Sequence, residues 1–177
     1  VADLFYRSRL KKIASKELRR MPLKASCFCG AVQFSLTAAP MFVHCCHCTD
    51  CQVQTGGAFA INGIIEAEHV RLTRGKPKRV TVPTDSGRPH DIYRCAKCQT
   101  ALWSDYGRRK VMVFVRVSTL KRPHRIVPDV HIFTRSKVPW VVLPKNARAF
   151  KVYYDMKKEW PAAALKRREA CLAKMRK

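Results

Sequence analysis

A chain of 177 residues, 47% of them hydrophobic, is long enough for one domain with a real core and too apolar for wholesale disorder. Its 36 lysines and arginines against 12 acids give a net charge of +24, which favours anionic partners, small acids or nucleic acid, through long-range attraction. No apolar run approaches the roughly 18 residues of a membrane span, and no secretory leader is visible, so the nine cysteines read as belonging to a reducing, cytoplasmic setting.

In chain order, residues 3–21 read as an amphipathic helix. Asp3 could cap it, Leu10, Ile13, Ala14, Leu18 and Met21 recur at helical spacing, and the other face is basic. An equally good reading makes Met21 a start and the preceding residues an upstream extension. From about residue 25 the pattern changes to short β-like runs broken by Gly and Pro. "AVQFSLT" alternates Val32, Phe34 and Leu36 on one face. "AFAINGII", "VRLTRG", "KRVTV" and "HDIYRC" follow as strand candidates, then "PTDSGRPHD" as a surface loop. "KVMVFVRV" is the strongest strand, with Val111, Val113, Val115 and Val117 on one face and Met112 and Phe114 on the other. A helix with a weak apolar stripe is expected from Pro161 to Met175, Pro161 suiting its first turn. The expected organisation is therefore a mainly β domain over residues 25–144, a basic extension at 1–24 and a basic, partly helical tail at 145–177.

Seven cysteines fall into three sets, Cys27-x-Cys29, Cys46-x-Cys48-x-x-Cys51 and Cys95-x-x-Cys98. A tight turn with such spacing aims two sulfurs at one point about 2.3 Å away, and a closed tetrahedral zinc site needs four. Joining Cys27 and Cys29 to Cys95 and Cys98 supplies four and would staple two distant loops. A thioredoxin-type redox pair at Cys95 and Cys98 is the alternative, without a βαβ context to support it. Cys46, Cys48 and Cys51 are one short of closure, and three protein ligands with an open fourth position are typical of catalytic zinc. In an extended segment Cys46 and Cys48 can converge while Cys45 and His47 face away. His44 shares the parity of Cys46 and is the residue that could close the site; spacing leaves the closed and open versions both standing and favours the open one.

"CFCGAVQFSL", "CCHCTDCQVQTGGAFA", "YRCAKCQTALW" and "PDVHIFTRSKVPWVVLP" together resemble, in order and spacing, the glutathione-dependent formaldehyde-activating enzyme family. The resemblance covers roughly residues 25–144. It implies a zinc-stapled, Mss4-like β-rich fold with two zinc ions per chain. Cys27, Cys29, Cys95 and Cys98 would hold a structural zinc, and Cys46, Cys48 and Cys51 the zinc associated with activity. The implied reaction is addition of glutathione to formaldehyde, giving S-hydroxymethylglutathione, the work of a carbon–sulfur lyase. Zinc would lower the pKa of the glutathione sulfur. Two departures stand out. Gln99 occupies a position where the family usually has a Gly suited to positive φ, and "RVSTL" replaces a more typical Gly-x-Leu-Asp run.

Other residues carry less. Arg88 is a candidate contact for the carboxylates of glutathione, though a solvated loop charge is the simpler account. His131 reads as a hydrogen-bonded structural histidine, Trp103 and Trp140 as core or pocket wall, and Cys171 as a free thiol on the tail. "GGAFA" is either a close backbone approach to the metal loop or a plain turn. The rival function is a zinc-stapled nucleic-acid-binding module, resting on "GRRK" and "LKRPHR"; charge of this kind gives nonspecific, salt-sensitive attraction only, and no finger with an adjacent recognition helix is present. A non-catalytic interaction module is the third possibility.

Overall fold

The computed structural model describes residues 22–175; the helix expected over residues 3–21 lies outside them. Among the described residues ten strands form two sheets. β1 (Leu23–Ser26), β2 (Gln33–Leu36) and β5 (Val70–Arg74) make a three-stranded antiparallel sheet in the order β1-β2-β5. The larger sheet contains β3 (Phe42–Cys46), β4 (Ala60–Glu66), β6 (Pro77–Val82), β7 (His90–Cys95), β8 (Ala101–Tyr106), β9 (Met112–Arg116) and β10 (Val130–Ile132). Its order is β10-β3-β4-β9-β8-β7-β6, and β10 alone lies parallel to its neighbour, β3. The chain is thus mainly β.

The period of two along each strand divides the core between two layers. On one face of the large sheet Val43, Ile65, Leu102, Val113 and Val115 pack against Ala25, Phe34 and Leu36 of the small sheet. On the other face Phe42, Cys46, Ile64, Met112, Val130 and Ile132 form a second cluster. "KVMVFVRV" therefore alternates as its sequence indicates, but both of its faces are buried. Each side chain so buried contributes roughly 1.5–3 kcal/mol. Trp103 lies edge-on to Phe34 and stacks on Tyr93, whereas Trp140 is 74% exposed and walls no core.

The second cluster is closed by the C-terminal segment. α2 (Met156–Glu159) and α3 (Ala162–Ala173) follow a thiol-bearing helix α1 (Thr49–Thr55) in chain order. Tyr154, Trp160, Ala164 and Cys171 are all buried in the cluster, and Phe150, Leu165 and Leu172 pack on it. Residue 144 is therefore not an edge of packing. Cys171 is also no surface thiol: it is 3% exposed, and its Sγ–H points at the Val111 carbonyl.

One ion pair fixes α3 to the sheet. Arg167 donates through Nε to Glu66 Oε1 at 2.7 Å, forms a second bond to Oε2, and donates to the Ala39 carbonyl at 3.0 Å. Burial alone would raise the Glu66 pKa, but the hydrogen bond and charge of Arg167 hold it below the usual carboxylate range. A depressed carboxylate pKa contributes stability that is present above its unfolded value and lost as pH falls through its folded one. Arg167→Ala leaves the nearly buried Glu66 without its cation, so unfolding in urea near neutral pH should become easier by about 3 kcal/mol. That loss should shrink on acidification below the carboxylate range; an equal loss at both pH values would refute the assignment.

Candidate metal centres

The four cysteines expected to meet do meet. "CFCG" turns between β1 and β2, and Cys95 ends β7 just before the turn that carries Cys98 into β8. The Sγ atoms of Cys27, Cys29, Cys95 and Cys98 all lie within 4.8 Å of one another, with Cys27 to Cys29 at 3.6 Å and Cys29 to Cys95 at 3.8 Å. Bonds of about 2.3 Å to a central zinc give a tetrahedron edge of roughly 3.8 Å, so this all-sulfur set fits that ion. Backbone and hydroxyl donors favour thiolates here. Val32 N–H reaches Cys27 Sγ at 3.2 Å, and the Thr100 hydroxyl, 3.1 Å from Cys98 Sγ, helps bring that thiol down to about 5. The turn needs a left-handed residue, and Gln99 supplies it at φ 58°. Its N–H donates to the Cys95 carbonyl and its side-chain amide to that of Ala96. These bonds hold a non-glycine residue in a conformation that costs about 1–2 kcal/mol.

The second set forms where β3 runs into α1. Cys48 caps the helix, its Sγ accepting the Cys51 N–H at 3.4 Å as a Ser or Asp oxygen would. One helical turn then brings Cys51 back to Cys46 and Cys48, and the three sulfurs lie within 4.8 Å of one another. Gly56, at φ 64°, terminates α1, and a Cβ there would meet nothing within 4 Å, so "GGAFA" begins as a helix cap rather than as a close approach. Crowding divides the charge unevenly. Hydrogen bonds from Cys46 and Cys48, with the nearby Arg116, draw Cys51 down to about 3, while Cys46 is pushed well above the thiol range by the same contacts.

His44 is not part of this group. It shares the parity of Cys46, yet its Nε2 is held 2.6 Å from the Tyr154 hydroxyl, which also accepts the Trp160 indole N–H at 2.7 Å. Burial brings the His44 imidazole down to about 4, so it is neutral near physiological pH. The three-sulfur set thus has no fourth cysteine, histidine or carboxylate ligand among the described residues.

Arg116, on β9, is the functional candidate that the sequence reading missed. It is 4% exposed, donates to Asn62 Oδ1, and lies against Cys51. Arg94, on β7, donates to Gln54 Oε1 at 2.6 Å, and the two guanidiniums are close enough for Arg116 to help lower the Arg94 pKa, after burial. Neither has a carboxylate partner among the described residues. A cleft of about 270 Å³ opens beside α1, lined by Asp50, Val53 and Gln54 on the helix and Val82, Pro83 and His90 opposite. Arg88 lies in an exposed turn, where its N–H and carbonyl bond Ser86 and Thr84.

Cys45 and His47 do face away from the three sulfurs, and they meet His131. The parallel β10–β3 register pairs His131 with Cys45. His47 Nε2 is 3.0 Å from His131 Nδ1 and 3.6 Å from Cys45 Sγ. His131 is hydrogen-bonded, as expected, with another histidine as its partner. Burial, then the neighbouring His131 and Lys137, lowers His47 to about 4, and burial raises Cys45 to about 12.

The comparison with known proteins now bears on these centres. The model of the family described as glutathione-dependent formaldehyde-activating enzyme matches residues 22–136. A relative from Halomonas elongata, named "Putative glutathione-dependent formaldehyde-activating enzyme", is 30% identical over 156 residues, which span 80% of this chain and 96% of the relative. The chain belongs to the glutathione-dependent formaldehyde-activating enzyme family. A crystal structure of a Rhodobacter sphaeroides protein overlaps it with a TM-score of 0.45 at 16% identity, covering 72% of this chain and 99% of that one. No helix among the described residues is long and apolar enough to cross a membrane.

The bond network around His44 makes a prediction. Tyr154→Phe strips a partner from two buried polar groups, His44 Nε2 and Trp160 Nε1, which should cost about 2 kcal/mol in a urea melt. Metal content should not change; a metal equivalent lost in this variant would put His44 back among the ligands.

Proposed function

We propose that the chain is a zinc-dependent enzyme that joins the thiol of glutathione to formaldehyde, giving S-(hydroxymethyl)glutathione, with the reverse cleavage making it a carbon–sulfur lyase. The observation that carries this reading is the three-sulfur set: it is one ligand short of a closed shell among the described residues, Arg116 lies against its Cys51, and the helix that carries Cys51 lines a cleft through Asp50, Val53 and Gln54. Membership of the glutathione-dependent formaldehyde-activating enzyme family supports a reaction between these two substrates. One zinc would sit among Cys27, Cys29, Cys95 and Cys98 as a staple and a second among Cys46, Cys48 and Cys51. Bound to the three thiolates, zinc supplies a Lewis-acid position that favours the thiolate form of an incoming thiol.

The chain's own residues then bind and hold the substrate. Glutathione carries two carboxylates and one ammonium. Arg94, at the edge of the cleft through Gln54, is suited to a carboxylate, and Asp50, one turn before Gln54 on the same helix wall of the cleft, to the ammonium. Arg116 keeps negative charge at Cys51 and at an adjacent sulfur, in a site where burial strengthens the attraction. Addition forms one C–S bond; the carbonyl electron pair moves to oxygen, which takes up a proton as the sulfur gives one up. Cys46, Cys48 and Cys51 are the residues on which this chemistry depends.

Two measurements test the reading. Cys46→Ser should lose one zinc and remain folded, whereas Cys95→Ser should lose cooperative unfolding because the staple goes. Glutathione titrated into the cobalt-substituted protein should change its thiolate-to-metal absorption, and Cys48→Ser should abolish the change. A spectrum indifferent to glutathione would mean that the position is closed and the centre structural.

A further inference from the structure

We infer that Cys45, His47 and His131 form a third metal site, one that takes a borderline late transition ion of the zinc class on the opposite face of β3 from Cys46. The site is assembled by two independent constraints. Within β3 and its continuation, Cys45 and His47 are two residues apart and so project from the same face. Across the sheet, the parallel pairing sets His131 beside Cys45 in register. The result is one thiol and two imidazole nitrogens, all within 4.8 Å of one another.

The spacing is that of a coordination shell. Metal bonds of about 2.3 Å to sulfur and 2.0–2.1 Å to nitrogen, arranged tetrahedrally, separate sulfur from nitrogen by roughly 3.6 Å and two nitrogens by roughly 3.4 Å. Cys45 Sγ and His47 Nε2 are 3.6 Å apart, and His47 Nε2 and His131 Nδ1 are 3.0 Å apart. The imidazoles need part by only a few tenths of an ångström. No carboxylate or carbonyl belongs to the set, so it discriminates against magnesium and calcium in favour of zinc-like ions.

The surroundings fix this geometry. Cys45 and His47 are 2% and 0% exposed, so neither side chain can swing away without opening the core. The His47 ring lies 5.3 Å from the His131 ring, nearly parallel to it, and 5.4 Å from the ring of Phe59. Gln52 donates to the His47 carbonyl and to that of Ser136, tying the segment to the loop after β10. An ion held at His47 Nε2 would replace the hydrogen bond to His131 and fix the ring proton on Nδ1, which is buried without a protein partner. Charge is also suited. A divalent ion on one thiolate and two neutral imidazoles carries +1, next to a three-thiolate zinc centre that would carry −1. Lys137 works against this, but its ammonium is turned to the carbonyls of Val138 and Val141.

The test is cadmium NMR of the full chain. Sulfur-rich sites give deshielded cadmium lines, and a site with one thiolate and two imidazoles gives a distinctly more shielded one. The wild type should show that shielded line, and should bind one zinc more per chain than either Cys45→Ser or His131→Gln. His131 is half-buried, so its variant serves should Cys45→Ser fail to fold. Absence of the shielded line in the wild type, or its persistence in either variant, overturns the proposal. The deshielded lines report separately on the two cysteine centres, so either reading can fail without the other.

Discussion

Strand β3 lies between β4 and β10 with all five residues buried, and its pleat decides where each cysteine and histidine of residues 44–48 can go. Side chains alternate between two dry faces, so no residue can change sides without moving a polar group into an apolar layer. Cys46 is sent to the face of Phe42, Ile64 and Met112 and meets Cys48 and Cys51 there. Cys45 and His47 are sent to the other face, where, among the described residues, His131 is the further metal-type donor in reach. A one-residue slip would exchange these sets and dismantle both, which is why a stretch so rich in donors needs partners on both edges to hold its register.

The same strand geometry accounts for the electrostatics. Three thiols in contact cannot all ionise unaided, and the Arg116 guanidinium beside Cys51 favours negative charge there. Arg116 is delivered there by the β4–β9 pairing, which sets it opposite Asn62 and thereby under α1. A guanidinium at 4% exposure would be costly without compensation. Here the compensation is a sulfur centre and the Asn62 amide oxygen rather than a carboxylate, and the arginine's attraction is directed at Cys51. The histidines contribute in the opposite sense: His44 and His47 are kept neutral by burial and add no positive charge to compete with it.

Much of this was legible in the sequence, and the gaps have physical causes. The alternation of Val32, Phe34 and Leu36 and of the valines of β9 gave those strands directly, because each face meets a distinct layer. β3 itself, "FVHCC", was not evident as a strand, since burial on both faces erases alternation. β8 was obscured in the same way by Ser104 and Asp105, both buried; Asp105 accepts the N–H groups of Arg109 and Lys110 in the turn that follows. α1 was missed because its cap is a thiol. A cysteine at the N-cap with Gly56 seven residues after Thr49 is the signal that would have revealed it. Parity separated the donors correctly, but the meeting of Cys45 and His47 with His131 depends on a parallel pairing across about 85 residues, which no local pattern records. Arg116 is invisible for the same reason: in "KVMVFVRV" it reads, like Lys110, as a charge near the end of an apolar strand.

The C-terminal segment shows how composition can mislead about packing. Residues 145–177 carry eleven basic side chains, and on charge alone they look like a solvated tail. Their apolar groups are spaced so that Tyr154, Trp160, Ala164 and Cys171 all land on one face of the large sheet, the face that also bears Cys46. Trp160 stacks on Phe42 at 5.1 Å and shares Tyr154 with His44, so the segment covers β3 and removes His44 from competition for metal in one arrangement. A histidine two residues from Cys46 on the same face would otherwise be the natural fourth ligand. His44 is held away from the three-sulfur set by a tyrosine 110 residues along the chain, so the composition of that set depends on the tail being packed on β3.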